Sequence, residues 1–141
     1  MNRIVLDANV LVKLFFEEEH SDVAIRLVRS DSVLLAPDFF WAEVVHVVWK
    51  YLRRRKISDA GASNVIGDML RVSVTTHSCF GLAATAFDVA VRTGCTVYDG
   101  MYVALAMREN VPLVTDDQRL VSALAGGPYA RYVVSLSQVE E

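Results

Sequence analysis

Short apolar runs alternate with longer amphipathic stretches along this chain. Arg3 to Leu6, Ser32 to Ala36, Val72 to Thr76, Thr96 to Tyr98, Leu113 to Thr115 and Tyr132 to Ser135 are brief and rich in β-branched residues, as buried parallel strands are. Between them, Val10 to Phe16, Ser21 to Arg29, about Pro37 to Arg55, Asp59 to Leu70, Phe80 to Arg92, Gly100 to Glu109 and Gln118 to Ala125 read as helices. Asp38 is placed to cap the third helix, and Ser58 or Asp59 the fourth. Thr93-Gly94 ends one helix, Asn110 and Pro112 break another, and Gly126-Gly127-Pro128 stops the last. Strands that alternate with helices predict an α/β fold with a parallel sheet covered by helices on both faces. In such folds ligands bind beyond the carboxyl ends of the strands, where strand order reverses.

Acidic residues fall at those ends. Asp7 closes Ile4-Val5-Leu6, Asp99 follows Val97-Tyr98, and Asp116-Asp117 follow Leu113-Val114-Thr115. Glu43 lies inside a very apolar helix, after Phe39-Phe40-Trp41-Ala42. Capping explains any one of the aspartates, and an ion pair with an arginine explains Glu43 taken alone. Several such acids near one site repel one another and resist ionisation, so a set kept charged needs a cation. Oxygen-only donors suit a hard divalent ion, Mg²⁺ or Mn²⁺, and the chemistry such ions promote on phosphates.

Composition narrows the setting. The 141 residues are sized for one domain, 1–141. Hydrophobic content is 53% and mean hydropathy +0.32, which predicts a core plus an apolar interface, hence an oligomer. No apolar run is long enough for a membrane helix, the start carries no signal-peptide pattern, and Cys79 and Cys95 have no metal-ligand or disulfide spacing. The expectation is two buried thiols in a cytoplasmic protein. Net charge −3 and pI near 5.6 argue against coating nucleic acid by global charge, yet permit local phosphate contacts. The basic run Arg53-Arg54-Arg55-Lys56 is a candidate for phosphate or partner contact, or a solvated helix end favoured by the dipole. Phe15, Phe16, Phe39, Phe40, Trp41 and Trp49 are expected in core or interface, not as base-stacking platforms.

Two other chemistries fit poorly. Glu17 to His20 and Glu43 to His46 both read Glu-x-x-His, but a di-iron bundle needs four long helices and no parallel strands. His46 is instead expected in the core or beside Glu43, and His20 and His77 carry no motif. A phosphate-accepting receiver domain wants a late lysine, whereas Lys13, Lys50 and Lys56 are all early.

Four segments together resemble the PIN domain, and within it the VapC-type ribonuclease toxins. They are Val5-Leu6-Asp7-Ala8-Asn9-Val10, Ala42-Glu43-Val44, Tyr98-Asp99-Gly100-Met101-Tyr102-Val103-Ala104-Leu105-Ala106, and Leu113-Val114-Thr115-Asp116-Asp117-Gln118-Arg119-Leu120. The resemblance spans nearly the whole chain. It implies a PIN-like domain with a five-stranded parallel sheet. It implies a Mg²⁺- or Mn²⁺-dependent endoribonuclease that forms a homodimer and is inhibited by a VapB-type antitoxin entering its active-site groove. Asp7, Glu43, Asp99 and Asp117 would be the metal-holding catalytic acids. The family's Thr-x-Asp pattern puts the last role on Asp117, with Asn9, Thr115 and Asp116 as positioning groups. A PIN nuclease of RNA processing and a catalytically silent, partner-binding PIN domain are the neighbouring readings; all four acids being present counts against the second.

Overall fold

The computed structural model describes residues 2–139. Strands β1 (Arg3–Leu6), β2 (Val33–Pro37), β3 (Thr75–His77), β4 (Leu113–Thr115) and β5 (Val133–Ser135) form one parallel sheet in the order β3-β2-β1-β4-β5. Consecutive residues point to opposite faces of a strand. Ile4, Val5 and Leu6 are all buried, as are Leu34, Leu35 and Ala36, so both faces of the central sheet are covered. The helices are α1 (Ala8–Val12), α2 (Ser21–Arg29), α3 (Phe40–Arg53), α4 (Asp59–Met69), α5 (Ala83–Thr93), α6 (Val97–Glu109) and α7 (Gln118–Leu124). The expected α/β architecture with five parallel strands is what forms.

The order reverses at β1, which pairs with β2 through Val5 and Leu35 and with β4 through Leu6 and Val114. The crevice that opens beyond the carboxyl end of β1 is therefore the switch point of the sheet.

One expected strand is absent. Thr96 to Tyr98 opens α6 instead of forming a strand. Thr96 Oγ1 accepts the Asp99 N–H at 3.0 Å and caps the helix. Val97 and Tyr98 are 40% and 66% exposed, which no central parallel strand tolerates. Farther along, Tyr102 to Ala106 are buried without a gap, because α6 packs on α5, β1, β2 and β4 at once. Gly100 permits this approach: a Cβ there would lie 2.4 Å from the Ala86 carbonyl oxygen on α5. Asp99, its neighbour, is thus held at a fixed point on α6.

Smaller differences have local causes. β3 is displaced to Thr75–His77, and α1 is a short helix that gives way to turns before Phe16. Asp38 does not cap α3. Its N–H donates to His77 O at 2.8 Å and its carboxylate accepts from Cys79 N–H at 3.3 Å, so it serves the β2–β3 edge. Helix α3 begins at Phe40 and buries Phe40, Val44 and Val48 at helical spacing. Ser58 caps α4, accepting from Gly61 N–H at 3.0 Å. Cys79 and Cys95 are free thiols, half-buried where full burial was expected, and burial raises both pKa values above the usual thiol range. No helix of the described residues is long and apolar enough to cross a membrane.

Candidate active site

Asp7 stands at the first position after β1, where the chain turns into α1. It is 8% exposed. Oδ1 accepts the Asn9 N–H at 3.3 Å, so Asp7 does cap α1, as the simplest reading of its position expected. Oδ2 accepts the Thr115 hydroxyl at 2.8 Å. Burial pushes the Asp7 pKa up to about 7; the Thr115 and Asn9 hydrogen bonds oppose this, and Glu43 and Asp99 add to it.

Thr115, at the end of β4, is fully buried and uses the one donor and both acceptor positions of its hydroxyl. It donates to Asp7, accepts the Asp117 N–H at 3.1 Å and accepts Asn9 Nδ2 at 3.4 Å. Asn9 Oδ1 in turn accepts the Asp116 N–H at 3.2 Å. Both residues position the ends of β1 and β4 against each other.

Glu43 projects from α3, half-buried, and its Oε1 accepts the Tyr102 hydroxyl at 2.6 Å. Its pKa is raised, by burial first and by Asp99 as well, against the lowering effect of Tyr102. Asp99 lies in the first turn of α6 with a pKa raised by burial and by Asp117. Asp117 caps α7, accepting from Arg119 N–H at 3.0 Å and Leu120 N–H at 3.3 Å. Asp7, Glu43, Asp99 and Asp117, from four separate elements, line one cavity of about 250 Å³ together with Asn9, His46, Val47 and Lys50.

Asp116 goes elsewhere. Its carboxylate is 2.9 Å from Lys13 Nζ and 3.0 Å from His20 Nδ1. Lys13, 6% exposed, also meets Glu18 at 3.3 Å, and Glu18 accepts the Tyr51 hydroxyl. Of the two adjacent aspartates, Asp117 faces the cavity and Asp116 anchors the loop to α1 and the turn before α2.

His46 is exposed, not a core histidine, and borders the cavity one helical turn beyond Glu43. Lys50 follows one turn later on the same face, an assignment helical spacing from Glu43 permits but the bare sequence does not single out. Tyr102, three residues after Asp99, and Lys13 were likewise not legible as functional. Arg55 and Lys56 border a separate cleft with Ser58 and Asp59, while Arg53 lies over the Trp49 ring at 5.3 Å. The basic run therefore does not enter the acidic cavity.

The donor set fits a hard divalent cation: every candidate ligand is a carboxylate, and burial and mutual repulsion hold three of them above the usual range. Among the described residues, no three His, Cys, Asp or Glu side chains stand close enough to grip an ion as they are. The chemistry fits, with the ligands arrayed around the cavity rather than drawn together.

Known proteins are similar to this chain over most of its length. The chain is 33% identical over 120 residues to Ribonuclease VapC3 of Pyrobaculum aerophilum, covering 84% of this chain and 92% of that one. It is also 33% identical over 120 residues to Ribonuclease VapC12 of Mycobacterium tuberculosis, covering 85% and 91%. A toxin–antitoxin complex from Klebsiella pneumoniae contains a chain of the same fold, with a TM-score of 0.62 at 16% identity and coverage of 96% and 99%. The pattern of the PIN domain matches residues 4–125, from the start of β1 to the end of α7, and so takes in all four acids that line the cavity. This chain belongs to the PIN domain family.

Proposed function

We propose that this chain, acting as one nuclease domain over residues 1–141, is a divalent-metal-dependent endoribonuclease and the toxin of a VapBC-type toxin–antitoxin pair in the cytoplasm. The observation that carries this reading is the convergence of Asp7, Glu43, Asp99 and Asp117 on one cavity at the switch point of the sheet. Relatives named Ribonuclease VapC support the activity, and the solved toxin–antitoxin complex supports a VapB-type antitoxin as partner.

The four acids would hold Mg²⁺ or Mn²⁺, directly or through water, and such an ion would supply activation of water and charge neutralisation on the phosphodiester. The chain does the rest. Thr115 and Asn9 fix the Asp7 and Asp117 ends of the cavity, and Tyr102 holds Glu43. Lys50 offers a cation to the incoming RNA backbone. Cleavage leaves a 5′-phosphate. The exposed Phe80, Phe87 and Val91 around α5 supply the apolar interface that a homodimer needs.

The test is cleavage of total cellular RNA by purified protein with Mn²⁺, beside Asp99→Asn and EDTA controls. Discrete cuts that vanish in both controls are expected. Absence of cuts, or cuts that survive Asp99→Asn, overturns the proposal.

A further inference from the structure

A second cleft adjoins the acidic cavity and shares two of its walls. It is about 540 Å³, within the range of small-ligand sites, and is lined by Phe39, Ala42, Glu43, His46 and Tyr98. Glu43 and His46 border both spaces, so a polymer can occupy the two at once. The Phe39 and Tyr98 rings meet at 5.5 Å and a 46° tilt. Tyr98 is 66% exposed, so much of its ring is open to solvent and to a ligand in the cleft.

The rings are coupled to the acids. Tyr98 immediately precedes Asp99 at the start of α6. Phe39 also packs at 5.6 Å on Tyr102, the residue that holds Glu43. From the shared wall a stacked ladder leads outward along α3. His46 stacks on Trp49 at 5.2 Å and 20°, and the Arg53 guanidinium lies 5.3 Å from the Trp49 ring centre. Lys50, exposed beside the ladder, borders the acidic cavity.

We propose that the Phe39–Tyr98–His46 cleft receives one unstacked base of the RNA strand, next to the phosphate addressed by the acids. The inference rests on the ribonuclease reading above. An aromatic cleft takes the flat face of a base, and the Glu43 and His46 edges meet its polar rim. Lys50 matches the charge of the adjoining backbone. A duplex cannot present a base this way, so the site selects single-stranded or looped RNA. Tyr98 is then a residue that sets affinity and base preference, not one that acts on the scissile bond.

The experiment is steady-state cleavage of a pool of single-stranded RNA of randomised sequence in Mn²⁺, with sequencing of the cut ends, for wild type, Tyr98→Ala and Tyr98→Phe. Melting temperatures establish that each variant is folded. Wild type is expected to show a base preference at one position beside the cut. Tyr98→Ala flattens that preference and raises KM about ten-fold, with a smaller fall in kcat. Tyr98→Phe, which keeps the ring, restores both. If wild type cleaves and a folded Tyr98→Ala protein keeps both KM and preference, the base site is overturned, the ribonuclease reading stands, and the cleft is left for a protein side chain. If folded wild type cuts nothing, both readings fall together.

Discussion

Thr115 and Asp7 are joined by a hydrogen bond of 2.8 Å in which a fully buried hydroxyl donates to a carboxylate whose pKa is pushed up to about 7. The same oxygen accepts the Asp117 N–H, so one threonine ties the ends of β1 and β4 to each other. Two candidate ligands 110 residues apart in sequence are positioned through a single atom.

Thr115→Val keeps the shape and removes the hydroxyl. Asp7 Oδ2 loses its donor and the Asp117 N–H its acceptor. Stability is expected to fall by about 1–3 kcal/mol in urea unfolding, and cleavage to fall further than folding accounts for. Thr115→Ser restores both. A Thr115→Val protein with wild-type stability and cleavage contradicts the role assigned to the hydroxyl.

Asp7 also makes a pH prediction. Its folded pKa, about 7, lies above the ordinary value of 3.8. The folded state therefore holds this proton longer than the unfolded chain. The contribution of Asp7 to metal-free stability is fully present below about pH 3.8 and is lost as pH rises through about 7. The metal-free melting temperature should decline across this window, and Asp7→Asn should flatten the decline. Mn²⁺ binds the ionised form, so its thermal upshift should be larger at pH 8 than at pH 6 and should disappear in Asp99→Asn. A pH-independent melting temperature in EDTA, identical in both proteins, contradicts this account.

Lys13 is a nearly buried cation that faces Asp116 at 2.9 Å and Glu18 at 3.3 Å. Lys13→Met leaves both acids without it. A loss of about 1–3 kcal/mol is expected, since Asp116 keeps His20 and Glu18 keeps Tyr51 but both lose the cation that faces them. The double variant Lys13→Met with Asp116→Asn should recover part of the loss in the same unfolding measurement. Equal stability of wild type and Lys13→Met removes this pairing as an anchor.

Lys50 is exposed at the edge of the acidic cavity. Lys50→Glu should leave the melting temperature nearly unchanged while KM for RNA rises. The logarithmic salt dependence of RNA binding should lose about one unit of slope, the signature of one lost phosphate contact. An unaltered salt slope places the RNA backbone elsewhere.

The alternation of apolar runs with amphipathic stretches determined the fold class, because strand and helix have different hydrophobic periods and a doubly covered sheet leaves no polar face on its strands. It also placed Asp7 and Asp117, since residues just past the end of a parallel strand lie at the mouth of the crevice whatever the details of the rest. Asp99 reaches the cavity from a different element than its apolar run implies. Its apolar run is a helix start: the Thr96 cap is a local signal that the apolar run obscures, and the close approach of Gly100 to Ala86, which favours a helix there, is set by a different element. The choice between Asp116 and Asp117 was open to a reading of the acids alone, although the Thr-x-Asp resemblance favoured Asp117. Packing brings Lys13 and His20 from α1 and the following turn to Asp116 and turns Asp117 into the cavity. The roles of Tyr102 and the Phe39–Tyr98 cleft belong wholly to tertiary structure. Their partners come from different elements, and a sequence carries the spacing within a helix but not the direction from which another helix arrives.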